Sequence, residues 1–472
     1  MKKSLIVLAA LFLFSNYSFP QNKIDGSYKG AIVIAGMNIE MTVRFKTESD
    51  SITGSADMQG LKDLPLAQIK YNYPALNFVL ENPDPKNNAY FEGTVYSDSI
   101  SGVFKQAIYT GRFFLKPFTP VPQSDTVPKT ALPYKEEEVS FTNGNESFSG
   151  TLTIPFKEGR HPAVVMITGS GPQERNEEIL GFKIFGIIAD HLTKNGIAVL
   201  RYDDRNMGKS KGTDVSKSTT ADFAGDVIEA VKFLKGRNDI NAGQIGLFGH
   251  SEGGIVAPLA ASKNSDIAFI VLMAGTAVRG EDVIMEQSRA IMTVNGEADS
   301  NITTSLKYSK KIMDAIVNNE DITQLKKELK TEFLKEYDEL SEDVKKSISN
   351  REEYAEGKVE GTIDAFSTPW MKYFLAYDPA PTFEKVKCPV LALFGELDLQ
   401  VLPSQNEEPM KKALEKSGNK DYIIKLFPKA NHLFQSATNG SPNEYGTLPK
   451  EFVEGFLDYV SGWIANRVSI IK

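Results

Sequence analysis

Runs of mostly apolar residues recur through the last two-thirds of the chain, at Ala163–Ile167, Ile197–Leu200, Ile245–Phe248, Phe269–Met273, Val390–Phe394 and Tyr422–Leu426. An uninterrupted apolar run suits a strand that is covered on both faces. Helical stretches stand between them at about 180–195, 219–236 and 252–262. Strand and helix in alternation predict a doubly wound, mostly parallel sheet of the α/β class over residues 136–472. One long interruption, about 277–385, is rich in Lys and Glu, and Leu325, Leu329, Phe333 and Tyr337 recur within it at every fourth residue. That spacing predicts amphipathic helix. A helical insertion over the carboxyl ends of the strands would act as a lid; a side lobe is the competing reading.

A chain of 472 residues exceeds one ordinary core, so further domains are expected. Residues 23–116 read as antiparallel strands. Ile39, Met41, Val43 and Phe45 alternate with polar or small residues, and later runs are separated by Gly, Asn, Asp and Pro. The expectation is a small all-β accessory domain, barrel or sandwich. Five prolines between Pro117 and Pro133 then mark residues 117–135 as a semi-rigid linker.

Lys2 and Lys3 followed by apolar Leu5–Phe14 read as a secretory signal peptide over residues 1–20, because the run is too short to span a bilayer. An uncleaved anchor is the competing reading. Cys388 is the single cysteine, which rules out an intramolecular disulfide. A secreted chain of this size without disulfides points to a bacterial periplasm, with no stable membrane span after signal removal. The net charge of -8 argues against a nucleic-acid partner. Four histidines without ligand spacing give no metal site. The glycines near Gly169 and the Gly-Lys-Ser at 208–210 each lack a residue that nucleotide loops require, so no cofactor is expected.

Gly249-His250-Ser251-Glu252-Gly253 stands directly after one apolar run and before a helical stretch. G-x-S-x-G in that setting is a nucleophile elbow, with Ser251 as nucleophile. A serine hydroxyl needs a base, and His432, in the loop after the last strand run, has the required place in chain order. His250 adjoins the serine and reads as structural, its side chain directed away. Asp398, in Gly395-Glu396-Leu397-Asp398, fits the acid that orients the base, with Glu396 competing. The N–H groups of Glu252 and of Ser170, in the loop after the Ala163–Ile167 strand, are the candidate oxyanion donors, with Gly171 second.

These stretches, together with Thr168-Gly-Ser-Gly-Pro-Gln-Glu-Arg175 and Arg201-Tyr-Asp-Asp-Arg-Asn-Met-Gly-Lys-Ser210, make residues 136–470 resemble the α/β-hydrolase superfamily, in its bacterial carboxylesterase and serine-aminopeptidase-like branch. Thr168 departs from the histidine that many relatives carry there. The resemblance implies a serine hydrolase, with Asp203-Asp204-Arg205 as a structural loop near the active face. The expected substrate is a small-molecule carboxylic ester, with an amide or peptide as alternative and a non-catalytic binding role as a rival of another class. Trp370, Tyr373 and Phe374 read as core packing, with a place in the pocket wall as the other option. Oligomeric state is not encoded in any pattern found.

Overall fold

The computed structural model describes residues 24–471, apart from 35–36, 49–50, 59–60, 83–87, 107–108, 120–131, 341, 346–347 and 349. The expected signal peptide and most of the expected linker lie outside the described residues.

The first eight strands are β1 (Gly26–Ile34), β2 (Met37–Glu48), β3 (Ser51–Met58), β4 (Leu61–Asn72), β5 (Ala75–Leu80), β6 (Ala89–Val95), β7 (Ile100–Gln106) and β8 (Tyr109–Pro117). Each pairs antiparallel with the next, and β1 pairs with β8, so the sheet closes into a barrel. The choice between barrel and sandwich is thereby resolved. Alternate inward side chains, including Phe45, Phe78, Phe91, Phe104 and Phe113, form its core. Phe78 stacks on Phe91 with ring centroids 4.5 Å apart.

A second sheet begins with β9 (Tyr134–Asn143) and β10 (Glu146–Pro155), an antiparallel hairpin that precedes β11 (His161–Ile167). The two-residue strands β12 (Glu178–Ile179) and β13 (Phe182–Lys183) form a separate small hairpin. Then follow α1 (Ile184–Lys194), β14 (Ala198–Tyr202), α2 (Thr220–Lys235), β15 (Ile240–His250), α3 (Gly253–Lys263) and β16 (Ile267–Met273). After the insertion come β17 (Val390–Gly395), α11 (Pro403–Lys416), β18 (Tyr422–Phe427) and α12 (Phe456–Ala465). The sheet order is β18-β17-β16-β15-β11-β14-β10-β9, parallel from β18 to β14 and antiparallel at β10 and β9. All seven residues of β11 and all six of β17 are buried, as their apolar runs require.

The insertion between β16 and β17 is helical as expected: α4 (Gly280–Val294), α5 (Asp299–Asn318), α6 (Thr323–Glu339), α7 (Glu342–Lys345), α8 (Arg351–Ser367), α9 (Pro369–Ala376) and α10 (Ala380–Phe383). Leu329 of α6 packs with Ile312 and Ile316 of α5 and with Val359 and Ile363 of α8. By contact density the chain divides into two units, residues 1–124 with 334–357, and the remainder. No described helix is long and apolar enough to cross a membrane.

Candidate active site

Ser251 stands where β15 ends and α3 begins, in left-handed backbone geometry with φ of 53°. A residue that is neither Gly, Asn nor Asp is rarely held there without surrounding constraint. The constraint is visible in the neighbours. The Ser251 N–H donates to the Met273 carbonyl at 2.8 Å, and its own carbonyl accepts from the Gly254 N–H at 2.8 Å. A Cβ on Gly249 would lie 2.0 Å from the Gly253 carbonyl oxygen, and one on Gly253 would lie 2.2 Å from that of Ile167. Only glycine fits at either place, so the two flanking glycines of the motif are sterically required.

His432 and Asp398 are brought together by the loops after β18 and β17. His432 Nδ1 and Asp398 Oδ2 are 2.9 Å apart, with both side chains buried. Asp398 Oδ1 accepts from the N–H groups of Gln400 and Val401 at 2.8 and 2.9 Å. Those two bonds fix the carboxylate, which in turn leaves Nε2 of His432 as the ring nitrogen free to serve as base. The competing acid, Glu396, accepts instead from the Lys429 N–H. Asn431 Oδ1 shapes the histidine loop by accepting from the N–H groups of Leu433 and Gln435.

Ser251, His432, Ser170 and Glu252 line one cavity of about 400 Å³. The loop after β11 reaches the elbow closely, since a Cβ on Gly169 would lie 3.1 Å from the Ser251 Cβ. The Gly169 N–H is committed to Glu177 Oε1 at 2.7 Å. Among the described residues, the backbone N–H groups of Ser170 and Glu252 have no protein acceptor. Thr168 donates its hydroxyl to Asp204 at 2.7 Å, and Gln173 donates its N–H to the same carboxyl at 2.8 Å. The loop is thus braced from Asp204, without the histidine of many relatives. Burial pushes the Asp204 carboxyl well above the usual carboxylate range. Asp203 binds Arg175, and Ser210 donates to the Asp203 carbonyl, so the Gly-Lys-Ser stretch closes a structural loop.

Three features go beyond the favoured reading of the sequence. The Glu252 side chain turns inward, where it accepts from Thr220 Oγ1 at 2.7 Å and from Trp370 Nε1 at 2.9 Å. Its carboxyl is raised by burial, against the lowering effect of these donors and of the Ser170 side chain. Trp370 and Phe374 of α9 line the cavity, as the pocket-wall alternative requires, together with Val283 and Ile284 of α4; of the pair, only Phe374 is also buried to the extent that core packing implies. His250 is the third. Its Nδ1 lies 2.9 Å from Glu177 Oε1, its Nε2 lies 3.1 Å from the His432 carbonyl oxygen, and it borders the cavity that Ser251 lines. Glu177 is buried at a φ of 47°. No local pattern signals that.

The profile of a family described as serine aminopeptidase, S33, matches residues 182–436, more than half of the chain. Esterase EstD of Thermotoga maritima is 29% identical over 338 residues, which cover 71% of this chain and 68% of that protein. Among solved structures, the α/β hydrolase GrgF from Penicillium sp. sh18 has 17% identity, coverage of 71% here and 97% there, and a TM-score of 0.42. The esterase PF2001 of Pyrococcus furiosus has 16% identity, coverage of 71% and 91%, and a TM-score of 0.42. By the extent of its family match, this chain belongs to the serine aminopeptidase S33 family of α/β-hydrolases, and is a hydrolase.

Proposed function

We propose that the protein hydrolyses small carboxylic esters through an acyl-enzyme on Ser251. The observation that carries this reading is the shared cavity, in which Ser251 on its elbow meets His432 held by Asp398 and the two uncommitted N–H groups. Ser251 Oγ attacks the ester carbonyl while His432 Nε2 takes its proton. The N–H groups of Ser170 and Glu252 receive the oxyanion. His432 then protonates the leaving alcohol, and a water deprotonated by His432 releases the acid.

The cavity also favours an ester over a substrate with a free amine. Its lining carboxylates are Glu177 and Glu252. Both oxygens of Glu252 accept from Trp370, and one also accepts from Thr220. Oε1 of Glu177 is taken by Gly169 and His250, while its Oε2 has no hydrogen-bond partner but is shut away from solvent. Neither presents an open carboxylate to an ammonium group. The relative named as an esterase supports the same direction. The reading includes export through residues 1–20 and a lid role for the insertion.

The test compares p-nitrophenyl esters with aminoacyl-anilides on purified protein, with Ser251→Ala as control. The expected result is ester turnover that falls by about 10³–10⁴-fold or more in the variant. A fully active variant removes the assignment of Ser251, and preference for the anilides replaces the ester with an amide.

A further inference from the structure

Each ring nitrogen of His250 faces an oxygen. The Nε2 partner is the backbone carbonyl of His432, which can only accept. The Nδ1 partner is Glu177 Oε1, which already accepts from the Gly169 N–H at 2.7 Å. A neutral imidazole carries one N–H, so it can satisfy one of these two acceptors and must turn a lone pair on the other. Both contacts are satisfied by imidazolium opposite carboxylate, or by neutral imidazole accepting from a carboxylic acid; the Gly169 N–H on the same Glu177 oxygen favours the ionised pair, because a carboxylate oxygen accepts two donors better than a hydroxyl oxygen does.

We propose that His250 is a protonated positioning residue, paired with Glu177, that ties the oxyanion loop to the loop of the catalytic base. This rests on the assignment of Ser251 and His432 given above. The three segments joined are distant in sequence: Gly169 through Glu177, His250 on the elbow, and His432 after β18. Both partners of the pair are buried, at 2% for His250 and 1% for Glu177. The ring centroids of His250 and His432 are 4.9 Å apart.

The charged and titratable groups around His250 are Glu177 in the loop after β11, Asp398 after β17 and His432 after β18; Asp204 and Glu252 surround the same loop more remotely. Burial opposes a charge on His250. The Glu177 charge and hydrogen bond, the His432 carbonyl and the Asp398 charge outweigh it, and the net direction is upward.

The direct test is nitrogen NMR of the histidine rings in the full-length protein, with the four signals assigned by single His substitutions. At neutral pH both His250 nitrogens should be protonated, and in Glu177→Gln one should lose its proton. A neutral His250 in the wild-type protein overturns the proposal, and this spectrum does not depend on which residue is the nucleophile. Kinetics supply the second measurement. In Glu177→Gln kcat for p-nitrophenyl acetate should fall more than tenfold with KM changed less than threefold, and Glu177→Asp should restore part of it. An unchanged kcat in a Glu177→Gln protein whose His250 has lost a proton would overturn the positioning role of the pair. A fully active Ser251→Ala, with the His250 signals as expected, would instead remove the assignment of Ser251 as nucleophile and leave the ion pair standing.

Discussion

At the scale of single residues, the site depends on groups whose own positions are over-determined. Asp398 accepts two backbone N–H groups besides His432, so Asp398→Asn should keep its place while offering an amide to the ring. One of the amide positions must then face an unsuitable partner, and the His432 tautomer is no longer fixed. The expected outcome is a kcat lower by about 10³–10⁴-fold at an unchanged melting temperature within a few degrees, measured by ester hydrolysis and calorimetry. The places of Ser251 and Asp398 after buried strands, and of His432 in the loop after β18, were legible from the apolar runs, the motif and the chain order. Glu177 was not, because its burial comes from a turn whose partners, Gly169 and His250, are brought there only by the finished fold.

At the scale of elements, Glu252 joins three of them: α2 through Thr220, α9 through Trp370, and the start of α3 on which it stands. Its carboxyl is raised in the folded protein above the ordinary 4.5. The folded state therefore holds this proton more tightly than the unfolded chain, and the resulting stability is complete below the unfolded value and lost as pH rises through the folded one. Glu252→Gln stays neutral throughout. Its melting temperature should fall less than that of the wild type between about pH 4 and pH 8, as followed by thermal denaturation. Trp370→Phe removes a donor to a buried carboxyl, and a loss of about 1–3 kcal/mol in urea unfolding is expected. The strands of the parallel sheet were readable because burial on both faces leaves an apolar run. The hairpin of β9 and β10 was less so, since β9 carries Glu136, Glu137 and Glu138 and only part of it is buried.

At the scale of the whole molecule, the barrel and the hydrolase region have separate apolar cores. No described barrel residue lines the cavity of Ser251. Phe78→Ala should cost the barrel core about 3–5 kcal/mol, seen in denaturant unfolding, while kcat and KM measured below the transition stay within twofold of wild type. Closure of the barrel was beyond the sequence, because it is decided by pairing of β1 with β8, near opposite ends of the domain, and strand patterning is local. The insertion has a different lesson. It leaves from β16 and returns to β17, which are adjacent and parallel, and the Ala274 N–H still reaches the Leu393 carbonyl at 2.8 Å. The segment leaves at the carboxyl end of β16 and re-enters at the amino end of β17, so it crosses the length of the sheet, and Ser251, His432 and Asp398 all lie outside it. Substitutions confined to α4–α10 would therefore reshape the part of the cavity wall formed by Val283, Ile284, Trp370 and Phe374 while Ser251, His432 and Asp398 keep their places.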